Sequence, residues 1–257
     1  MRGVWLRNLF FDTLTNRLSP KDALTLMFAR IKPKPTSFYL KGVNFEQVDP
    51  VFWGVLVDVY VNRVYMPNGM ELTRNNIIID LGAHRGAFTS FAALTGGSTV
   101  YAYEPHPGNF KSLVHLLTAN QLKNVTAHNV AIGGETGEAR LYLSSSSSRH
   151  NVLGHDLVSG DPLHESINVS MLSLDDCLKD LTEVDFLKID CEGAETEILL
   201  NAGASTMNKI RYLAAELHNF PKAEEVQRLQ RYLSQFFPIV KIVPQGKKNL
   251  GYLYARR

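Results

Sequence analysis

Residues 76–95 read N-I-I-I-D-L-G-A-H-R-G-A-F-T-S-F-A-A-L-T. The run Ile77, Ile78, Ile79, bounded by polar residues, suits a strand buried on both faces. It closes on Asp80, with Gly82 and Gly86 behind it. Phe88, Phe91, Ala92 and Thr95 then recur at i, i+3, i+4 and i+7, the spacing of one helix face. Gly96 and Gly97 stop that helix. Strand, glycine loop and helix in this order open a nucleotide-binding α/β unit.

The loop, D-x-G-x-x-x-G, is not G-x-G-x-x-G. Asp80 stands where a dinucleotide pyrophosphate would pass, and would repel it. A ligand with an ammonium and a sulfonium would be attracted instead, and S-adenosylmethionine (SAM) carries both. The next strand, 99–103, ends in Glu104, about twenty residues beyond Gly82, where an acid takes ribose hydroxyls. NAD or another nucleotide, and a plain glycine turn with a solvated acid, are the competing readings.

A chain of 257 residues fits one α/β domain with an N-terminal extension. Its hydrophobic content of 45% and charged content of 20% are those of an ordinary globular protein. A net charge of +2 does not call for nucleic acid. The basic cluster Lys241, Lys247, Lys248, Arg256 and Arg257 reads as a solvated edge. Cys177 and Cys191 make neither a disulfide framework nor a zinc site, which points to a reducing, cytoplasmic compartment. No apolar run reaches the ~18 residues of a transmembrane helix. The opening M-R-G-V-W-L-R-N-L-F-F-D lacks the core and cleavage site of a signal peptide. It reads as a helix packed on its own domain, with peripheral membrane contact as the alternative.

Residues 1–76 form a preface: helices over 4–17 and 20–31, a strand over 37–43, and a helix from Pro50 to about Arg63 along Val51, Val55, Val59 and Val64. Residues 77–257 form the main domain. Strands over 77–81, 99–103 and 125–132 alternate with helices, including 107–120 with Phe110, Leu113, Val114 and Leu117 on one face, so the sheet is parallel. An insertion over 138–172 interrupts the alternation: two strands, 138–143 and 167–172, flank a Ser- and His-rich stretch read as a flap over the substrate. Ser173 caps a short helix over 174–181, and strand 184–189 ends at Asp190. Glu192-Gly193-Ala194-Glu195 opens a helix to Leu200, strand 210–217 leads to His218-Asn219, and Pro221 starts a helix carrying Val226, Leu229 and Leu233. Strands 239–243 and 252–255 form a closing hairpin, so the last strand runs antiparallel.

Six segments together, D-L-G-A-H-R-G-A-F-T, Y-E-P-H-P-G-N-F, N-V-A-I-G-G-E-T-G-E-A-R-L-Y, M-L-S-L-D-D-C-L, V-D-F-L-K-I-D-C-E-G-A-E and A-A-E-L-H, resemble the FkbM-type SAM-dependent methyltransferases in order and spacing from about Phe52 to His218. The resemblance implies a class I methyltransferase with a Rossmann-like, seven-stranded, mostly parallel sheet. It also implies O-methylation of a hydroxyl on a sugar, glycolipid or polyketide-like metabolite, with SAM as donor and S-adenosylhomocysteine as product. The family usually has Asn-Ile where this chain has His84-Arg85, so the loop backbone is expected to hold the methionyl part. The Ser-rich stretch is no family signature, and the acceptor's identity does not transfer.

In an open α/β sheet the ligand lies beyond the carboxyl ends of the strands. The expected cofactor set is Asp80, Gly82, Ala83, His84 and Gly86 at the methionyl end, Glu104, Pro105 and Asn109 at the ribose, Val130 and Ala131 at adenine, and Asp190 on the same rim. The expected catalytic set is His218 as base, with Asp190 and Glu192 as further candidates. The plainer readings are a rim hydrogen bond for His218 and dipole-stabilised carboxylates in a helix's first turn for Asp190 and Glu192. Asp190, His218 and Asn219 are also a possible Mg²⁺ set, but a histidine weighs against Mg²⁺, and no metal is assigned. His150, His155 and His164 are candidate substrate contacts from the flap, with plain exposure as the simpler reading, and are left out of the expected site. The partner expected is a small-molecule or glycan acceptor. The rivals are a nucleic-acid methyltransferase, disfavoured by the acidic D-C-E-G where an aromatic motif would sit, and a SAM-binding module without turnover.

Overall fold

The structure is a computed structural model that describes residues 37–67, 72–95, 97–144, 150–154, 162–218, 223–245 and 250–257. The two helices expected before residue 32 lie outside these residues. Strand 37–43 is instead a hairpin, β1 (Ser37–Leu40) and β2 (Val43–Glu46), turned by Lys41 and Gly42 with positive φ. Asp49 then caps the helix Pro50–Val57 by accepting from the Val51 and Phe52 amides. The helix widens into a π-turn, Asp58–Asn62, and stops where Arg63 turns left-handed. Its buried face is Phe52, Trp53, Leu56, Val59 and Tyr60, whereas Val51 is exposed.

The central sheet follows from the isoleucine run. β3 (Ile77–Leu81) lies between β4 (Thr99–Tyr103) and β9 (Val184–Ile189), parallel to both. With β5 (Val125–His128), β10 (Ile210–His218), β11 (Ile239–Pro244) and β12 (Leu250–Arg256) the order is β11-β12-β10-β9-β3-β4-β5. β12 pairs antiparallel with β10 and β11, so the seven-stranded sheet carries the antiparallel final strand that the closing hairpin implies. On helix Pro107–Ala119 the buried apolar residues are Leu113, Leu116 and Leu117, and Val114 points outward.

The stretch 125–132 is not one strand. The Asn129 side-chain amide donates to the carbonyls of Glu104 and Pro105 (2.8 and 2.9 Å), and the strand is interrupted there. β6 (Ala131–Gly133) then leaves the main sheet for a small one, in the order β6-β8-β7, with β7 (Gly137–Tyr142) and β8 (Ser166–Ser173). The helix after Ser173 ends at Cys177. The helix after β9 starts at Glu195, so Asp190 and Glu192 precede it rather than occupy its first turn.

Strand alternation sorts the core by face. Ile78 joins Val100, Phe186 and Ala214 in a cluster completed by Leu40, Phe45, Phe52, Leu56 and Tyr60 from the preface. Ile79 and Leu81 join Leu187, Ile189, Leu213, Leu229 and Leu233 on the other face. Each fully buried apolar side chain contributes about 1.5–3 kcal/mol. The described preface is therefore one layer of the sheet's own core. The buried Tyr60 hydroxyl meets Ser90 Oγ at 3.0 Å, tying the two. Among the described residues no helix is long and apolar enough to cross a membrane.

Candidate active site

A cavity opens beyond the carboxyl ends of β3, β4, β9 and β10. The glycine loop forms its floor. Gly82 has φ 75°, and a Cβ there would stand 1.8 Å from the Asp190 carbonyl oxygen, so only glycine lets β3 and β9 close at this level. The Gly82 and Ala83 amides both donate to the Tyr103 carbonyl. From below, the Lys188 ammonium donates to the Leu81 and Gly82 carbonyls (3.2 and 2.7 Å) and pairs with Asp80 at 3.0 Å.

Asp80 is fully buried behind the loop, with its other oxygen accepting from Thr89 Oγ1 at 2.6 Å. It does not line the cavity, which corrects its expected contact with a methionyl group. In a strand its carboxylate shares the inward face of Ile78. Gly86 also lies off the cavity: it starts the next helix with φ 91°, and its missing Cβ makes room for Leu113 and Leu116. Gly82, Ala83 and His84 do line the cavity. The His84 imidazole packs edge-on against Phe52, and burial, then Arg85, pushes its pKa down to about 3. Arg85 turns away to pair with Asp49 at 2.7 Å, stacks on Phe52 and donates to the Gln47 carbonyl.

Glu104 lines the next part of the cavity and is 5% exposed. Its carboxylate accepts from the His84 amide (2.8 Å), the His106 amide (2.9 Å) and the Asn109 side chain (3.4 Å). Burial outweighs these bonds and pushes its pKa up to about 7. Pro105, Asn109, Val130, Ala131 and Ile132 continue the wall. The insertion supplies the facing side through His150, Asn151 and Val152. Asn151 exchanges backbone hydrogen bonds with Tyr142, and the His150 ring lies 4.2 Å from that of His106. His164 is not among the lining residues, and His155 and Asn219 fall outside the described residues.

The far end is acidic. Asp190, Glu192, Glu216 and Asp58 line it with His218 and Tyr65. Tyr65 donates to Asp190 Oδ2 at 2.8 Å and lies 3.3 Å from Glu216 Oε2. Glu192 has φ 50°, and its Oε2 lies 3.3 Å from His218 Nε2. On the other side of the ring, His218 Nδ1 meets Glu195 Oε1 at 3.1 Å, and Asp190 Oδ1 is 3.9 Å away. Glu195 Oε1 also accepts from the Cys191 and Gly193 amides, both at 2.9 Å. Burial opposes a charged His218, but Glu195 and Glu192 outweigh it and hold the imidazolium well above its ordinary range. Burial and Asp190 push Glu216 up to about 8, and burial drives Glu192 up as well. An imidazole held between carboxylates already carries its proton, which counts against His218 as the base. Asp190, Glu192 and His218 each bring one ligand atom within 4.8 Å of the others.

The structure thus adds Tyr65, Lys188, Glu195, Glu216 and His150. Lys188 and Glu216 sit two residues before Asp190 and His218, on the same strand faces, so period-two reading could have found them. Tyr65 has no local signal, since it meets Asp190 across 125 positions.

Residues 80–254 match the family model described as the methyltransferase FkbM domain. The chain is 26% identical over 193 residues to the 31-O-demethyl-FK506 methyltransferase FkbM of Streptomyces tacrolimicus, covering 63% of this chain and 73% of that one. It is 25% identical over 160 residues to Methyltransferase 1 of Beauveria bassiana, covering 55% of this chain and 64% of that one. Among solved structures, Aeropyrum pernix fibrillarin with natively bound S-adenosyl-L-methionine aligns at 14% identity and a TM-score of 0.43, over 72% of this chain and 67% of that one.

Proposed function

The chain belongs to the FkbM methyltransferase domain family and is a methyltransferase, and from that premise we propose that it methylates a hydroxyl of a small molecule or glycan with SAM as donor. Bound SAM would supply an electrophilic methyl that leaves sulfur for the acceptor oxygen, the S–C electron pair staying on sulfur. Glu104 carries the reading. Its buried carboxylate is aimed by two backbone amides and Asn109 and has no cation in direct contact among the described residues, so it suits a pair of ribose hydroxyls. The backbone of Gly82, Ala83 and His84 would hold the methionyl part. Pro105 and Asn109 would flank the ribose, and Val130 and Ala131 would face adenine.

The cavity continues past the loop to Tyr65, Glu216 and His218, which leaves room for an acceptor and favours turnover over a binding module. The acceptor's proton would leave to Asp190 or to solvent rather than to His218, Glu192 or Glu216, on which burial or neighbouring carboxylates favour the protonated form. Carboxylates crowd this end, so a phosphate-bearing acceptor would be repelled, which weighs against nucleic acid. Calorimetric titration with SAM and S-adenosylhomocysteine tests the reading. Both should bind, and Glu104→Ala should abolish binding of both. Wild-type protein that binds neither would overturn it.

A further inference from the structure

We propose that Asp190, Glu192 and His218 hold a divalent cation at the acceptor end of the cavity, an inference that rests on the methyltransferase reading for its role but not for its test. Three features converge. The ligand atoms of these residues already lie within 4.8 Å of one another and line the open cavity. They are two carboxylates and an imidazole, a mixed oxygen and nitrogen set that suits Mn²⁺ and leaves positions for an acceptor oxygen and water.

The second feature is the aim of the histidine. Glu195, its side chain 1% exposed, holds Nδ1 at 3.1 Å and is itself fixed by the Cys191 and Gly193 amides. Nε2 is left facing Glu192 in the cavity. A carboxylate behind the far nitrogen of an imidazole is the usual support of a metal-bound histidine, because it fixes tautomer and ring orientation. The third feature is charge. Lys188 pairs with Asp80 at 3.0 Å and reaches Asp190 at 3.9 Å, so among the described residues Lys188 and His218 are two cations beside the five carboxylates Asp80, Asp190, Glu192, Glu195 and Glu216. An excess of buried carboxylates is relieved by protons or by a further positive charge, and a cation at this place supplies the second.

This set differs from the one legible in sequence. Glu192, brought in by its left-handed backbone, takes the place considered for Asn219. The bound cation would hold the acceptor's hydroxyl oxygen and favour its ionised form. The hydroxyl proton would leave to solvent through the open cavity.

The test titrates the full chain with Mn²⁺ as sole metal, by calorimetry and by loss of the free-ion electron spin resonance signal. S-adenosylhomocysteine is titrated separately in chelator. One saturable Mn²⁺ site is expected, lost in Glu192→Gln and His218→Ala and weakened roughly 10–100-fold in Glu195→Gln. Glu192→Gln alters a side chain at the cavity surface, and its circular dichroism and melting check that it folds. Absence of saturable Mn²⁺ binding, or binding undiminished in both triad variants, would mean an ion pair only and overturn the proposal. S-adenosylhomocysteine binding without Mn²⁺ binding would sink the cation and spare the cofactor reading. Mn²⁺ binding without S-adenosylhomocysteine binding would do the reverse.

Discussion

Glu104 is under two opposed demands. Folding buries its carboxyl and raises its pKa to about 7 from the ordinary 4.5. Between those values the folded chain keeps a proton that the unfolded chain has released. Glu104 therefore removes stability as pH rises through this window, on the order of 3 kcal/mol in all. Glu104→Gln should flatten this part of the stability curve of the ligand-free protein, measured by urea unfolding at pH 5 and pH 8. Ribose hydroxyls, in contrast, need the ionised form. S-adenosylhomocysteine affinity should fall about tenfold per unit below pH 7 in the wild type and lose that slope in Glu104→Gln, read by calorimetry. A second prediction concerns the buried pair under the loop. Lys188→Met leaves Asp80 buried without its counter-ion, held only by the Thr89 hydroxyl, and should cost about 3–5 kcal/mol in unfolding experiments. Adding Asp80→Asn should restore much of it.

At the scale of elements, the strand–loop–helix unit was legible because burial on both faces leaves an unbroken apolar run, and because two glycines mark where the backbone must turn tightly. The strand ends at Glu104, Asp190 and His218 followed from the same alternation. What was misread has physical causes too. By charge alone Asp80 reads as a ligand contact, but strand parity sends it inward with Ile78, where Lys188 meets it. The stretch 125–132 carries the composition of one strand, and only a distant contact, Asn129 on the Glu104 and Pro105 carbonyls, splits it. Tyr65 and Glu195 act through partners that local periodicity does not report. The loop's own prediction is steric. Gly82→Ala drives a methyl into the Asp190 carbonyl and must part β3 from β9, so S-adenosylhomocysteine binding should disappear. Calorimetry with a folding control checks it.

Over the whole molecule the described preface is core. Phe52 is 2% exposed and packs against Phe45 and His84. Phe52→Ala should cost about 3–5 kcal/mol and lower a single cooperative transition. A methyltransferase core melting unchanged beside a loosened preface would contradict this layering. The slot that β12 occupies has a consequence for how the chain is made. β10 ends in Glu216, Leu217 and His218 and needs a neighbour on both edges, yet one of them, β12, is synthesised after the helix Ala223–Leu233 and β11. Until residues 250–256 leave the ribosome, the strand carrying Glu216 and His218 of the acceptor end has an open edge, which is a template for wrong pairing. The nascent protein would hold an assembled glycine loop well before a finished acceptor pocket, and a chaperone would have most to protect in that interval.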